Sequence, residues 1–60
     1  MITVGDRVRI VVDVLSDSGT VYPAGEPATV VGFRGPDHAV VVFHSTDESA
    51  LVPVRDLLLR

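Results

Sequence analysis

Cysteine, lysine, asparagine, glutamine and tryptophan are all absent from this chain. Without cysteine there is no disulfide and no thiol to serve as nucleophile or soft-metal ligand. The two histidines stand in no cluster with Asp and Glu at ligand spacing, so neither a metal site nor a cofactor site is expected. Sixty residues make a single domain, 1–60, and a domain of that size buries only about 60% of the surface its unfolded chain exposes. With both usual staples missing, a partner surface is the remaining device for added stability.

The lack of lysine places all side-chain positive charge on five arginines, against eight carboxylates, for a formal net charge of −3. That balance repels a polyanion at long range, so nucleic acid is not the expected partner. Arginine without lysine or asparagine reads as the codon bias of a GC-rich genome rather than a choice for bidentate anion recognition. There is no leader-like segment and no apolar run of membrane-spanning length, and a cytoplasmic bacterial protein with no membrane partner is expected. Aromatics are scarce too: Tyr22, Phe33 and Phe43 are the whole set in a chain that is 47% hydrophobic. Valine carries the apolar content, and its β-branched side chain favours strands.

What is present points to an all-β chain. From Arg7 onward the residues alternate, with Val8, Ile10, Val12 and Val14 on one face and Arg7, Arg9, Val11 and Asp13 on the other. The stretch "SDSGTVYPAGEP" has turn composition and no helical period, which predicts a long loop over 15–27 with a small hairpin around Asp17-Ser18-Gly19. Two apolar runs, Ala28–Phe33 and His38–Phe43, flank Arg34-Gly35-Pro36-Asp37, a hairpin signal. Pairing Val30 with Val41 and Ala28 with Phe43 calls for an even loop, so four residues, Arg34–Asp37, are expected in it. This register sets Val31 opposite Val40 and Thr29 opposite Val42. After the polar turn "HSTDES" come a short strand over Ala50–Pro53, a single helical turn in "PVRDL", and a last strand at Leu58-Leu59. Val8, Ile10, Val30, Val41, Phe43 and Leu51 are the predicted core.

Three segments in this order, Gly5-Asp6-Arg7-Val8-Arg9-Ile10, Ala24-Gly25-Glu26-Pro27-Ala28-Thr29-Val30-Val31 and the closing "VRDLLL", resemble the SH3-like small barrels of bacteria. These include KOW-type domains and domains akin to nitrile hydratase β-subunits and photosynthetic electron-transfer accessory subunits. The resemblance covers nearly the whole chain. It implies a small five-stranded SH3-like barrel with a long first loop and one helical turn before the last strand. Ala28 stands where that pattern usually has a glycine before Thr-Val. The opening Gly-Asp-Arg-Val-Arg also resembles the type II dihydrofolate reductases. Here, however, Ser49, Ala50, Leu51 and Val52 occupy the place of that family's Val-Gln-Ile-Tyr run, so its activity is not carried over.

His44, Ser45 and Asp47 have the residue types of a hydrolytic triad, but neighbours in one tight turn cannot converge as a triad must. No catalytic residue is assigned. Asp47 and Glu48 read as solvation of a turn and protection of a strand edge. Arg7, Arg9 and Arg34 are candidate anion contacts, with salt bridges to Asp13 or Asp56 as the commoner explanation. Val11, Val31, Val40 and Val42 face outward in the predicted register and form an apolar wall, which marks an interface unless the long loop folds over it. Tyr22 is the one large amphipathic side chain of that loop. In SH3 domains the aromatics of this loop help grip Pro-rich peptides, which makes Tyr22 a further candidate contact. Its competing placement is a ring packed on the barrel end with the hydroxyl in water. The expected function is a non-enzymatic interaction or assembly module, homo-oligomeric or bound to a protein partner, acting through apolar burial and strand-edge pairing. The alternatives are a KOW-type nucleic-acid-associated domain and an enzyme whose site forms only across an oligomer.

Overall fold

Alternation carries the first strand, β1 (Arg7–Ile10), but the strand stops before Val12 and Val14. The chain bends because the Asp13 carboxylate accepts the Ala24 N–H at 2.9 Å and the Ile10 carbonyl accepts the Gly25 N–H at 2.7 Å. In the computed structural model, which describes residues 1–60, six more strands follow. They are β2 (Val14–Leu15), β3 (Val21–Tyr22), β4 (Pro27–Arg34), β5 (His38–Phe43), β6 (Ser49–Pro53) and β7 (Leu57–Leu59), with a 3₁₀ turn at Val54–Asp56 between the last two. The expected hairpin inside the first loop is β2–β3, turning over Ser16–Thr20. The expected helical turn is the 3₁₀ turn. The chain is all-β, in two antiparallel sheets.

The larger sheet has five strands in the order β6-β5-β4-β1-β7. Its two end strands do not pair with each other, so the hydrogen-bonded ladder stays open. They are nevertheless joined by only three residues. Five flat strands would set those edges about 19 Å apart at 4.8 Å per strand, more than the link and its ends can reach, at about 13 Å. The sheet therefore curls.

The inner face of the curl is the core. Val8, Ile10, Ala28, Val30, Ala39, Val41, Phe43, Ala50, Val52 and Leu57 are buried there, joined by Tyr22 from the small hairpin. Five of the six predicted core residues are among them. Leu51 is not: it is 49% exposed. The ladder explains why, since Val41 faces Ala50 and Val40 faces Leu51, and directly opposed residues share a face. With Val41 inside, Ala50 and Val52 are inside and Leu51 is outside.

The β4–β5 hairpin keeps both expected core pairs, Ala28 with Phe43 and Val30 with Val41, and also Thr29 with Val42. Its loop, however, is Gly35-Pro36-Asp37, three residues rather than four, because Arg34 pairs with His38. A bulge at Val31 absorbs the extra residue, so that Gly32, not Val31, opposes Val40. A bulge of one residue reverses the face of everything beyond it. Without it, Arg34 would follow Ala28 and Val30 toward the inside. With it, Arg34 shares the outer face with His38, and Phe33 pairs with Ala39 but stays 43% exposed at the hairpin end, outside the core.

Candidate functional site

The outer face of the sheet is an apolar surface bounded by charge. Val31 at the bulge, Val40 in the middle and Leu51 on β6 form one row across it, and the half-buried Val42 stands beside Val40 along β5. Val31 and Leu51 are each 49% exposed. Folding of the first loop over this wall, the alternative expectation, does not occur. That loop forms the β2–β3 hairpin and sends Tyr22 into the core instead. Val40 and Leu51 floor a depression of about 220 Å³ that is completed by Arg34 and Asp17. Asp17 reaches this place from the hairpin turn, where its N–H donates to the Ser49 carbonyl at 3.0 Å and its Oδ2 accepts the Ser49 hydroxyl at 3.2 Å. Leu51 and Asp17 were not predicted for this face. The face of Leu51 is set by the register of β6 on β5, and the position of Asp17 is a tertiary fact.

Val11 is exposed but lies elsewhere. It follows the end of β1 and donates its N–H to the Asp56 carbonyl, so Arg7 and Arg9 separate it from the Val31–Leu51 row. The β6 edge is partly closed. The Phe43 N–H donates to the Glu48 carbonyl, a phase in which the backbone groups of Ser49, Leu51 and Pro53 turn outward. The Ser49 carbonyl is already taken by Asp17 and Pro53 has no N–H. Leu51 is the one residue of that edge with both groups free.

The three candidate anion contacts do not form one patch. Arg7 stands opposite Thr29, and Arg34 lies five residues farther along β4, about 16 Å at 3.3 Å per residue. Neither Asp13 nor Asp56 pairs with an arginine. The chain's one contact of ion-pair geometry joins His38 Nδ1 to Asp37 at 2.8 Å. Arg9 instead donates from Nη1 to the Gly25 carbonyl at 2.7 Å, holding the turn before β4. The neighbour of Arg7 across the ladder is Arg60, whose N–H donates to the Arg7 carbonyl. With five arginines against eight carboxylates and Arg34 set apart from Arg7, binding to DNA or RNA is expected to be no tighter than about 10⁻⁴ M at physiological salt. A fluorescence-anisotropy titration checks this. Micromolar binding that weakens steeply with added salt would restore the nucleic-acid alternative.

Tyr22 is not a presented contact residue. It is 4% exposed, its ring stacked on Phe43 at a centroid distance of 3.9 Å and an interplanar angle of 6°. Its hydroxyl is not in water but donates to Glu48 Oε1 at 2.6 Å. A phenol has one proton, so the hydrogen bond between Tyr22 and Thr46 Oγ1 runs from the threonine. Ser16, itself buried, also donates to Glu48 Oε1, at 3.2 Å. Glu48 thus accepts from two residues of the β2–β3 hairpin, which overturns its reading as turn solvation. Burial raises the Tyr22 pKa above its ordinary 10.0, reinforced by the Glu48 hydrogen bond. The same bond, with help from Ser18, lowers Glu48 below 4.5. This is a clasp between the β2–β3 hairpin and the β5–β6 turn, with every buried polar side chain satisfied.

In the same turn, His44 Nε2 lies 2.7 Å from Thr29 Oγ1, Ser45 donates to Glu26 at 3.1 Å, and Asp47 takes a φ of 64°. His44, Ser45 and Asp47 are thus committed in different directions. No group of three or more metal-ligating side chains is gathered anywhere, and no helix is long and apolar enough to cross a membrane. No protein-family model, curated protein or solved structure matches this chain, so its site is defined by its own residues, and the candidate they compose is the outer face between Arg34 and Asp17.

Proposed function

We propose that this chain is a small SH3-like barrel that serves as a non-enzymatic interaction or assembly module, docking its outer sheet face on another copy or on a partner protein. The strand order, the curl and the 3₁₀ turn before the last strand support the barrel. One observation carries the function: Val31, Val40, Val42 and Leu51 are neighbours on the outer face, Val31 and Leu51 exposed and Val40 and Val42 half-buried, with the charged Arg34 and Asp17 at the margin. An apolar centre with a polar rim is the anatomy of a protein interface. Burial of this face does the work, and strand addition at β6 contributes little, because only Leu51 has both backbone groups free there.

The reading is tested in cells by site-specific photo-cross-linking, with benzoylphenylalanine in place of Leu51 or, as an exposed control off the face, in place of Val11. The expected result is a discrete protein adduct from position 51 that is absent from position 11 and is lost when Arg34→Asp is added. No adduct at 51, or equal adducts at both positions, would overturn it.

A further inference from the structure

We infer that the occupant of this face is a second copy of the same chain, docked about a two-fold axis that sets Arg34 of each protomer on Asp17 of the other. The inference rests on the reading of the face as a docking surface and adds its partner. Three observations lead to it. Arg34 and Asp17 line one depression with Val40 and Leu51 between them. Both are exposed, and neither has an ion partner in its own chain. They also stand on opposite sides of the floor. Arg34 is on β4, Val40 on β5, Leu51 on β6, and Asp17 lies past the β6 edge against Ser49.

A two-fold dimer requires a self-complementary patch, in which residue i meets j and j meets i. An axis lying in the interface and crossing the floor between Val40 and Leu51 exchanges the two margins. Arg34 then meets the partner's Asp17, Val40 meets the partner's Leu51, and both pairs form twice. The bulge at Val31 is what makes this arrangement available, since it turns Arg34 onto the outer face. A standard interface of about 800 Å² per partner is roughly a fifth of the 3662 Å² the chain exposes.

Light scattering coupled to size exclusion, at about 50 µM, a level suited to a weak dimer, reads the state of the full chain. Wild type is expected at twice the chain mass of 6.4 kDa. Arg34→Asp sets carboxylate against carboxylate and Asp17→Arg sets guanidinium against guanidinium, so each variant alone is expected at the monomer mass. Mixed in equal amounts they regain both attractive pairs, and the doubled mass is expected to return as a heterodimer. Circular dichroism confirms that each variant is folded.

The chain's lack of cysteine supplies a second measurement that leaves Asp17 intact. Under mild oxidation, an equimolar mixture of Val40→Cys and Leu51→Cys is expected to form an interchain disulfide faster than either variant alone. A monomeric wild type, folded single variants that remain dimeric, or no preference for the mixed disulfide would each overturn the inference. If position 51 still cross-links to a different protein, the docking face stands and only its occupant was wrong.

Discussion

Phe43→Ala is expected to leave the protein unfolded at room temperature. Phe43 is fully buried, opposes Ala28 on β4, carries the Tyr22 ring on its face and donates its N–H to the Glu48 carbonyl. Truncating such a phenylalanine costs about 3–5 kcal/mol through lost transfer energy and the cavity left behind. At about 0.05–0.15 kcal/mol per residue, a chain of this length has only about 3–9 kcal/mol in total. The residue directly across the ladder, Ala28, has only a methyl group and cannot close the gap. Far-UV circular dichroism and a thermal melt are the measurements. A melt superimposable on the parent's would show that the Phe43 face of β5 is not the buried one.

Tyr22→Phe is expected to lower the melting temperature at neutral pH and to flatten its dependence on pH at both ends of the scale. Glu48 has its pKa lowered in the folded state, chiefly by the Tyr22 hydroxyl. The stability it contributes is therefore present above the unfolded value of 4.5 and is lost as pH falls through the lower folded value. Tyr22 has its pKa raised, chiefly by burial. Its contribution is present below 10.0 and is lost as pH rises through the higher folded value. Wild type should thus lose melting temperature below pH 4.5 and above pH 10.0, and the phenylalanine variant should lose less on each side. Equal acid slopes for the two proteins would show that the clasp does not hold Glu48 ionised. Glu48→Gln separates the two effects, since it removes the acid-side loss while leaving the tyrosine free to titrate.

Local pattern was a reliable guide to where strands run, and for most of the chain to which face is buried. The pairs Ala28–Phe43 and Val30–Val41 followed from alternation in two runs that face each other near the core. The loop length did not, because a bulge at Val31 lies between those pairs and the turn, and period-two alternation cannot report a slip at a residue that has no opposite. Gly32, lacking a side chain, conceals the place where the slip occurs. One signal was available. An unbulged register turns Arg34 inward, and the bulge turns it onto the outer face, which suits a charged side chain. Leu51 was misplaced for a related reason: alternation in a short apolar strand leaves both phases open until its ladder to β5 fixes which residues share the face of Val41.

The residues themselves determined an all-β chain, the turns at its hairpins, a helical turn before the last strand, and a net negative charge of −3. Each of these follows from neighbours in sequence or from a sum over composition. Tertiary structure alone decided that Tyr22 is a core residue clasped to Glu48, and that Arg60 rather than Arg34 is the neighbour of Arg7. It also placed Arg34 and Asp17 at opposite margins of the Val40–Leu51 floor. These placements join positions 17 or more residues apart through strand pairing, and a sheet brings distant residues together by register, which no local window contains.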